Sequence, residues 1–312
     1  MNKKFKKSLL LFTGGMTALA LVNQYFEKSI RSEDDPVDVP QHTWYFRELT
    51  VRYSVMGEGT PILLIHDIGG HSSSVEWSET APLLARHYKV YTLDLPGFGF
   101  SDKPVMTYTG YLFVDAITSF IRDIIKEKTD LIASGQTAGI ALSVQKTAPE
   151  LLRKIILVTP SSPVLRQPTT GIRRALLSVW QVPVFGTILY NLTYNRIRME
   201  HILPARQYYR PQNVSRKLIH AFYQNAHRNE KGAVAVSVSR INHFFAVPTA
   251  EFAKEAEKLA IIYGKYNLEE FPILHKYKAL NPHILFAPIE DSRKYPQLEM
   301  PDVFASQVEA IL

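Results

Sequence analysis

No cysteine occurs among the 312 residues, which excludes disulfides, a thiolate nucleophile and cysteine-ligated zinc. Beyond the first seven residues there is also no block of basic residues that looks like a nucleic-acid footprint. The formal net charge is +7, and Lys3, Lys4, Lys6 and Lys7 supply part of it as a tail. Arg173, Arg174, Arg196, Arg198, Arg206 and Arg210 are scattered among aromatic and aliphatic residues. That scatter reads as a solvated surface, not as a nucleic-acid footprint or a phosphate-binding face. No histidine and carboxylate cluster has metal-ligand spacing, and no glycine-rich loop resembles a phosphate cradle, so neither metal nor cofactor is expected. Internal repeats and low-complexity segments are missing too. What remains is ordinary for a globular chain, 46% hydrophobic and 21% charged. The length suits one large α/β domain with an insertion, or two small domains.

The amino terminus carries a basic start and then an apolar or small-residue run from Ser8 to Val22, extending to Phe26 if Asn23 and Gln24 are tolerated. A full span needs about 20 apolar residues, so the run is short but usable with snorkelling ends. Three readings stay open: a signal-anchor, a signal cleaved near Ala18-Leu19-Ala20, and an anchor with the domain on the cytosolic face. Basic residues before the run and Glu33-Asp34-Asp35 after it favour an extracytoplasmic domain. Residues 27–42, with Pro36 and Pro40, read as a linker.

From Trp44 the texture changes. Trp44-Tyr45-Phe46 and Leu49 to Val55 alternate like antiparallel strands. Short continuous apolar runs at 62–65, 90–93, 130–133 and 155–158 mark strands buried on both faces, and helical stretches are expected at 73–87, 111–126 and 138–147 between them. Such alternation predicts a doubly wound, mainly parallel sheet. It stops at Ser161. Residues 161–256 read as a helical, aromatic insertion, and strand texture returns at 259–263 and 283–288 before a final helix at 301–312. The predicted organisation is therefore a membrane or signal segment at 1–26, the linker, a core made of 43–160 and 257–312, and a helical cap at 161–256.

Four motifs in order resemble the α/β-hydrolase family. They are His66-Asp67-Ile68-Gly69-Gly70, Asp94-Leu95-Pro96-Gly97-Phe98-Gly99-Phe100-Ser101, Gly135-Gln136-Thr137-Ala138-Gly139, and Ser292-Arg293-Lys294-Tyr295-Pro296-Gln297-Leu298-Glu299-Met300-Pro301. They are similar to the family's H-G-x-G-G oxyanion loop, its D-x-P-G-x-G-x-S run, its G-x-S-x-G nucleophile elbow and its C-terminal histidine segment. The resemblance implies the α/β-hydrolase fold with an inserted lid, Thr137 at the nucleophile position, and Ile68 and Ala138 as main-chain oxyanion donors. It also places Lys294 at the histidine position and Asn267 at the acid position. His66, Asp67, Gly69 and Gln136 are expected to line the pocket.

Acyl transfer on this fold needs an activated hydroxyl, a histidine base, an acid that orients it, and two N–H donors. Lys294, with an ordinary pKa near 10.4, is a cation and no base at neutral pH. Asn267 supplies no charge, and Asp67 puts a carboxylate where an oxyanion would develop. Ser134 as an alternative nucleophile would put Ile132 and Gln136 where the elbow needs small residues. Two functions remain open: a membrane-tethered, weakly active or inactive relative that binds a small apolar or acyl-type molecule or a protein partner, and an active ester or acyl hydrolase using Thr137 with an unusual base.

Overall fold

The computed structural model describes residues 42–164, 178–182, 184–267, 269 and 271–312. The 8–26 segment, most of the linker, and Arg173 and Arg174 lie outside the described residues. Eight strands form one sheet: β1 (His42–Phe46), β2 (Leu49–Met56), β3 (Pro61–Ile65), β4 (Lys89–Leu93), β5 (Thr129–Ser134), β6 (Leu152–Val158), β7 (Leu259–Gly264) and β8 (Leu285–Ile289). Their order is β1-β2-β4-β3-β5-β6-β7-β8. β1 and β2 pair antiparallel, β2 runs antiparallel to β4, and every later pairing is parallel.

The apolar runs are continuous because helices cover both faces of the sheet. Leu63, Ile65, Leu131, Ala133, Ile155 and Leu157 face one buried cluster. Their alternate neighbours Ile62, Leu64, Ile132, Ile156 and Val158 face another. With a side-chain period of two, a strand buried on both sides turns both sets of side chains into apolar layers, and in β5 the polar Thr129, Asp130 and Ser134 stand at the strand's ends. The helices Gly110–Phe120 and Thr137–Thr147 pack on the first face and Pro301–Ile311 on the second.

One expected helix is broken. Instead of a single helix over 73–87 there is a 3-10 turn at Ser74–Trp77 and one α-turn at Ala81–Leu84. Pro82 has no N–H to continue a hydrogen-bond ladder through the intervening turn.

Between β6 and β7 the described residues hold helices and turns and no strand. This insertion sits over the loops that follow β3 and β4. The Gly70 N–H donates to the Tyr194 hydroxyl at 3.0 Å, and Asn225 Nδ2 donates to Ser73 Oγ at 2.7 Å. The Lys103 ammonium donates to the Asn225 and Arg228 carbonyls, each at 3.0 Å. Lys103 is 4% exposed. Burial, and then the nearby Arg228, push its pKa down to about 7.

Candidate functional site

The turn from β5 into the next helix sets the register of the site. Among residues 134–138 only Gly135 has a positive φ, at 59°, while Gln136 has φ −74°. The strained central position of a nucleophile elbow is thus Gly135. Ala133 and Thr137 then stand at the flanking small-residue positions, two residues out of step with the expected Gly135–Gly139 frame. A glycine has no side chain to attack with.

The hydroxyl of Thr137, the residue expected as nucleophile, is turned into the core. Thr137 opens the helix, is fully buried, and donates its hydroxyl to the Ser134 carbonyl at 2.6 Å and the His66 carbonyl at 3.1 Å. Ser134 ends β5 and is buried as well. The Ala138 N–H turns back on the Gly135 carbonyl at 3.4 Å, because Ala138 already lies inside the first helical turn. The first N–H after Gly135 is that of Gln136, and it points to the β3 loop.

The Ile68 and Gln136 N–H groups converge on one acceptor. Each donates to Asp67 Oδ1 at 2.7 Å. Asp67 Oδ2 pairs with Lys294 Nζ at 2.9 Å. Asp67 is 2% exposed, and burial alone would raise its pKa. The Lys294 ammonium and the Gln136 and Ile68 N–H groups outweigh burial and bring it down to about 2. A carboxylate oxygen therefore occupies the point on which the two N–H groups converge. The side chain absent from Gly135 would collide with the same carboxyl group.

Further polar groups hold Asp67 from behind. Its own N–H donates to Glu76 Oε2 at 3.0 Å. Glu76 is fully buried, and that burial, with the Asp67 charge, lifts its pKa to about 7. His66 is fully buried and does not line the pocket. The Leu95 N–H donates to His66 Nε2 at 3.1 Å, so Nδ1 carries the proton and donates to the Asp67 carbonyl at 2.6 Å. Its role is to tie the β3 loop to the β4 loop.

Asn267 closes the turn after β7, its N–H donating to the Gly264 carbonyl at 3.1 Å. The Tyr266 N–H reaches the Ser292 carbonyl at 3.0 Å, which packs this turn against the one leading to Lys294. The structure therefore brings Asp67, Ile68, Gln136 and Lys294 together, leaves Asn267 outside the cavity lining, and turns Thr137 away.

A cavity of about 240 Å³ opens between this cluster and the cap. Asp67, Gly69, Gln136 and Lys294 line its floor, with His71 beside them. The expected apolar lining is only partly present. Tyr194, Met199, Ile202 and Leu203 are there, but so are Arg198, Arg206 and Arg240. Sequence reasoning placed Arg198 and Arg206 on a solvated surface and passed over Arg240. Their helical spacing with Ile202 (four residues either side) was the available signal. His71 is held neutral: burial, and then Lys294, push its pKa to about 3. Among the described residues no group of three His, Cys, Asp or Glu is arranged to hold a metal.

A family model described as "alpha/beta hydrolase fold" matches residues 60–274. The chain belongs to the α/β-hydrolase family. The 2-hydroxy-6-oxo-6-(2'-aminophenyl)hexa-2,4-dienoic acid hydrolase of Metapseudomonas resinovorans is 32% identical over 34% of this chain and 38% of that protein. The 2-hydroxymuconate semialdehyde hydrolase of Pseudomonas sp. is 31% identical over 33% of this chain and 37% of that protein. The chain thus matches a little over a third of the length of these relatives. Among solved structures, a serine hydrolase involved in carbazole degradation superposes with TM-score 0.70 at 20% identity, covering 86% of this chain and 97% of that one. A membrane phospholipase A described as a bacterial virulence factor gives 0.69 at 18% identity, covering 99% and 98%. Within this α/β-hydrolase fold, Gly135 forms the positive-φ turn after β5, and Asp67 and Lys294 meet beside it.

Proposed function

We propose that this α/β-hydrolase binds a small molecule beneath its cap and does not turn over esters. The observation that carries the reading is Asp67 Oδ1 held by both the Ile68 and Gln136 N–H groups. An acyl-transfer intermediate needs those two donors, and an ionised carboxylate at 2.7 Å competes with it and repels it. Gly135 adds the lack of a nucleophile, and Lys294 is an ammonium engaged with Asp67 instead of a base. The alternative hydrolase using Thr137 loses its support, since that hydroxyl faces two main-chain carbonyls.

The test is hydrolysis of p-nitrophenyl butyrate and octanoate by the purified protein. Turnover at the buffer background supports the reading, and about one turnover per second or faster overturns it.

The 8–26 run, together with the basic flank before it, supports a second element of the proposal, tethering to a membrane with the domain on the outer face. Among the described residues no helix is long and apolar enough to cross a membrane, so the tether rests on that run. Alkaline carbonate extraction should leave the protein with the membranes. Release of uncleaved protein would refute the tether, and protection from protease in spheroplasts would refute the orientation.

A further inference from the structure

We infer that the cavity between the Asp67–Lys294 pair and the cap receives a small organic carboxylate, gripped by Arg198, Arg206 and Arg240. The inference rests on the binding reading of the site and names its ligand class.

The first argument is charge. Lys294 and Asp67 largely offset one another at 2.9 Å, which leaves three guanidinium groups on the lining of a cavity of about 240 Å³. Among the described residues no carboxylate lies within ion-pair distance of Arg198, Arg206 or Arg240. The Arg240 guanidinium reaches only the Tyr194 hydroxyl, at 3.5 Å. Like charges gathered around a partly enclosed space repel one another more strongly than in open water. An anion entering that space removes the repulsion and gains charge-assisted hydrogen bonds. The planar guanidinium fork matches a carboxylate in a way a lysine does not.

The second argument is shape. Met199, Ile202 and Leu203 line the same cavity. They come from one helical stretch at the spacing that puts them on the face shared with Arg206. Apolar walls beside the guanidinium groups call for an anion with an apolar body, which inorganic phosphate lacks. The small volume limits that body to something the size of a benzene ring or a short alkyl chain.

The third argument is a partner already in place. His71 is 7% exposed, lines the cavity, is held neutral, and has Nδ1 without a hydrogen-bond partner. A neutral imidazole next to the cations adds no further positive charge to the lining, and its covered Nδ1 becomes a partner for a ligand that displaces the atoms over it. Asp67 is then the internal competitor: it holds Lys294, the fourth cation on the lining, away from the ligand.

The test is isothermal titration of the full chain in low-salt detergent buffer with benzoate, hexanoate, benzyl alcohol and inorganic phosphate. Benzoate or hexanoate should bind at least tenfold tighter than benzyl alcohol and tighter than phosphate. Arg206→Gln and Arg240→Gln should each weaken benzoate by about tenfold or more. Asp67→Asn should tighten it several-fold, an effect that damage to the fold does not mimic. Arg206 is exposed and Arg240 half-buried on the cap, so neither substitution opens the sheet core, and an unchanged melting temperature verifies this for each. Equal affinity for benzoate and benzyl alcohol, indifference to the arginine substitutions, or preference for phosphate would each overturn the inference. No ester is present in the titration. Ester turnover in the separate assay would therefore overturn the non-hydrolytic reading and leave the anion result standing.

Discussion

Asp67 fills the space that a side chain on residue 135 would occupy. The Gly135 N–H donates to the Val158 carbonyl at 2.9 Å, fixing the elbow, and any Cβ built there runs into the Asp67 carboxyl group. Glycine at 135 and aspartate at 67 are thus coupled: each makes sense of the other. A serine at 135 needs residue 67 to be small, and an aspartate at 67 needs residue 135 to be bare.

Gly135→Ser alone is expected to destabilise the protein and create no esterase activity. The position already has φ 59°, which costs a non-glycine residue of order 1–3 kcal/mol, and the collision with Asp67 adds to it. Urea unfolding should show a midpoint shift of that sign. Gly135→Ser combined with Asp67→Gly should be less destabilised than the sum of the two single changes, because the collision is relieved while the backbone cost at φ 59° remains. Two independent, additive effects would count against the coupling.

Restoring hydrolysis requires four changes, Gly135→Ser, Asp67→Gly, Lys294→His and Asn267→Asp. The first two supply the nucleophile and empty the donors; the last two supply base and orienting acid. Ester hydrolysis clearly above the parent's background is the expected result. Thr137→Ser combined with the changes at 267 and 294 should give none, because residue 137 hydrogen-bonds to main-chain carbonyls inside the core. Activity in that variant would restore Thr137 as the nucleophile position.

The fold was legible because its signal is long and redundant. Strands such as Ile62–Ile65 and Ile155–Val158 must be apolar at every position once both faces are covered, and no helix of ordinary amphipathicity reads that way. The site was legible only as a neighbourhood. Gly135 and Gly139 were taken as the two flanking glycines of the elbow, yet the physical requirement is a positive φ at its centre, and Gly135 alone between Ser134 and Ala138 meets it without strain. Asp67 was recognised as electrostatically wrong for catalysis. That it would take both N–H groups for itself depends on distances the sequence does not carry. The cationic cavity was hidden for another reason, since Arg206 and Arg240 are 34 residues apart and meet only through the packing of cap helices.

Lys103 holds the cap from below, and its loss should loosen the cap without melting the sheet. Its ammonium caps the Asn225 and Arg228 carbonyls at the end of the Arg216–His227 helix. Lys103→Met keeps the stem and removes both bonds. Carbonyls left buried without donors cost about 1–3 kcal/mol. Hydrogen exchange should speed up across 216–241 and stay unchanged in β3, β5 and β6. Uniform acceleration would mean that Lys103 supports the whole domain.

Glu76 gives the site a pH dependence of definite sign. Its folded pKa is about 7 against an ordinary 4.5, raised first by burial and then by the Asp67 charge. The folded protein thus holds this proton more tightly than the unfolded chain. The resulting stabilisation is fully present below pH 4.5 and is lost as the pH rises through 7, on the order of 2–3 kcal/mol in all. Asp67 behaves in the opposite way. Its folded pKa of about 2 against 3.8 gives stability that is present above 3.8 and lost as the pH falls through 2. The two windows do not overlap, so a single substitution separates them. Glu76→Gln keeps an oxygen to accept the Asp67 N–H and removes the titration. The buried His71 and Lys103, whose folded pKa values lie below their ordinary ones, tilt stability upward with pH in both proteins alike. The effect is therefore read as a difference: the urea midpoint of the parent minus that of Glu76→Gln should fall between pH 5 and 8. Both should decline together below pH 3.5. A difference between parent and Glu76→Gln that stays constant from pH 5 to 8 would show that Glu76 is ionised throughout and that Asp67 tolerates a second charge at its back.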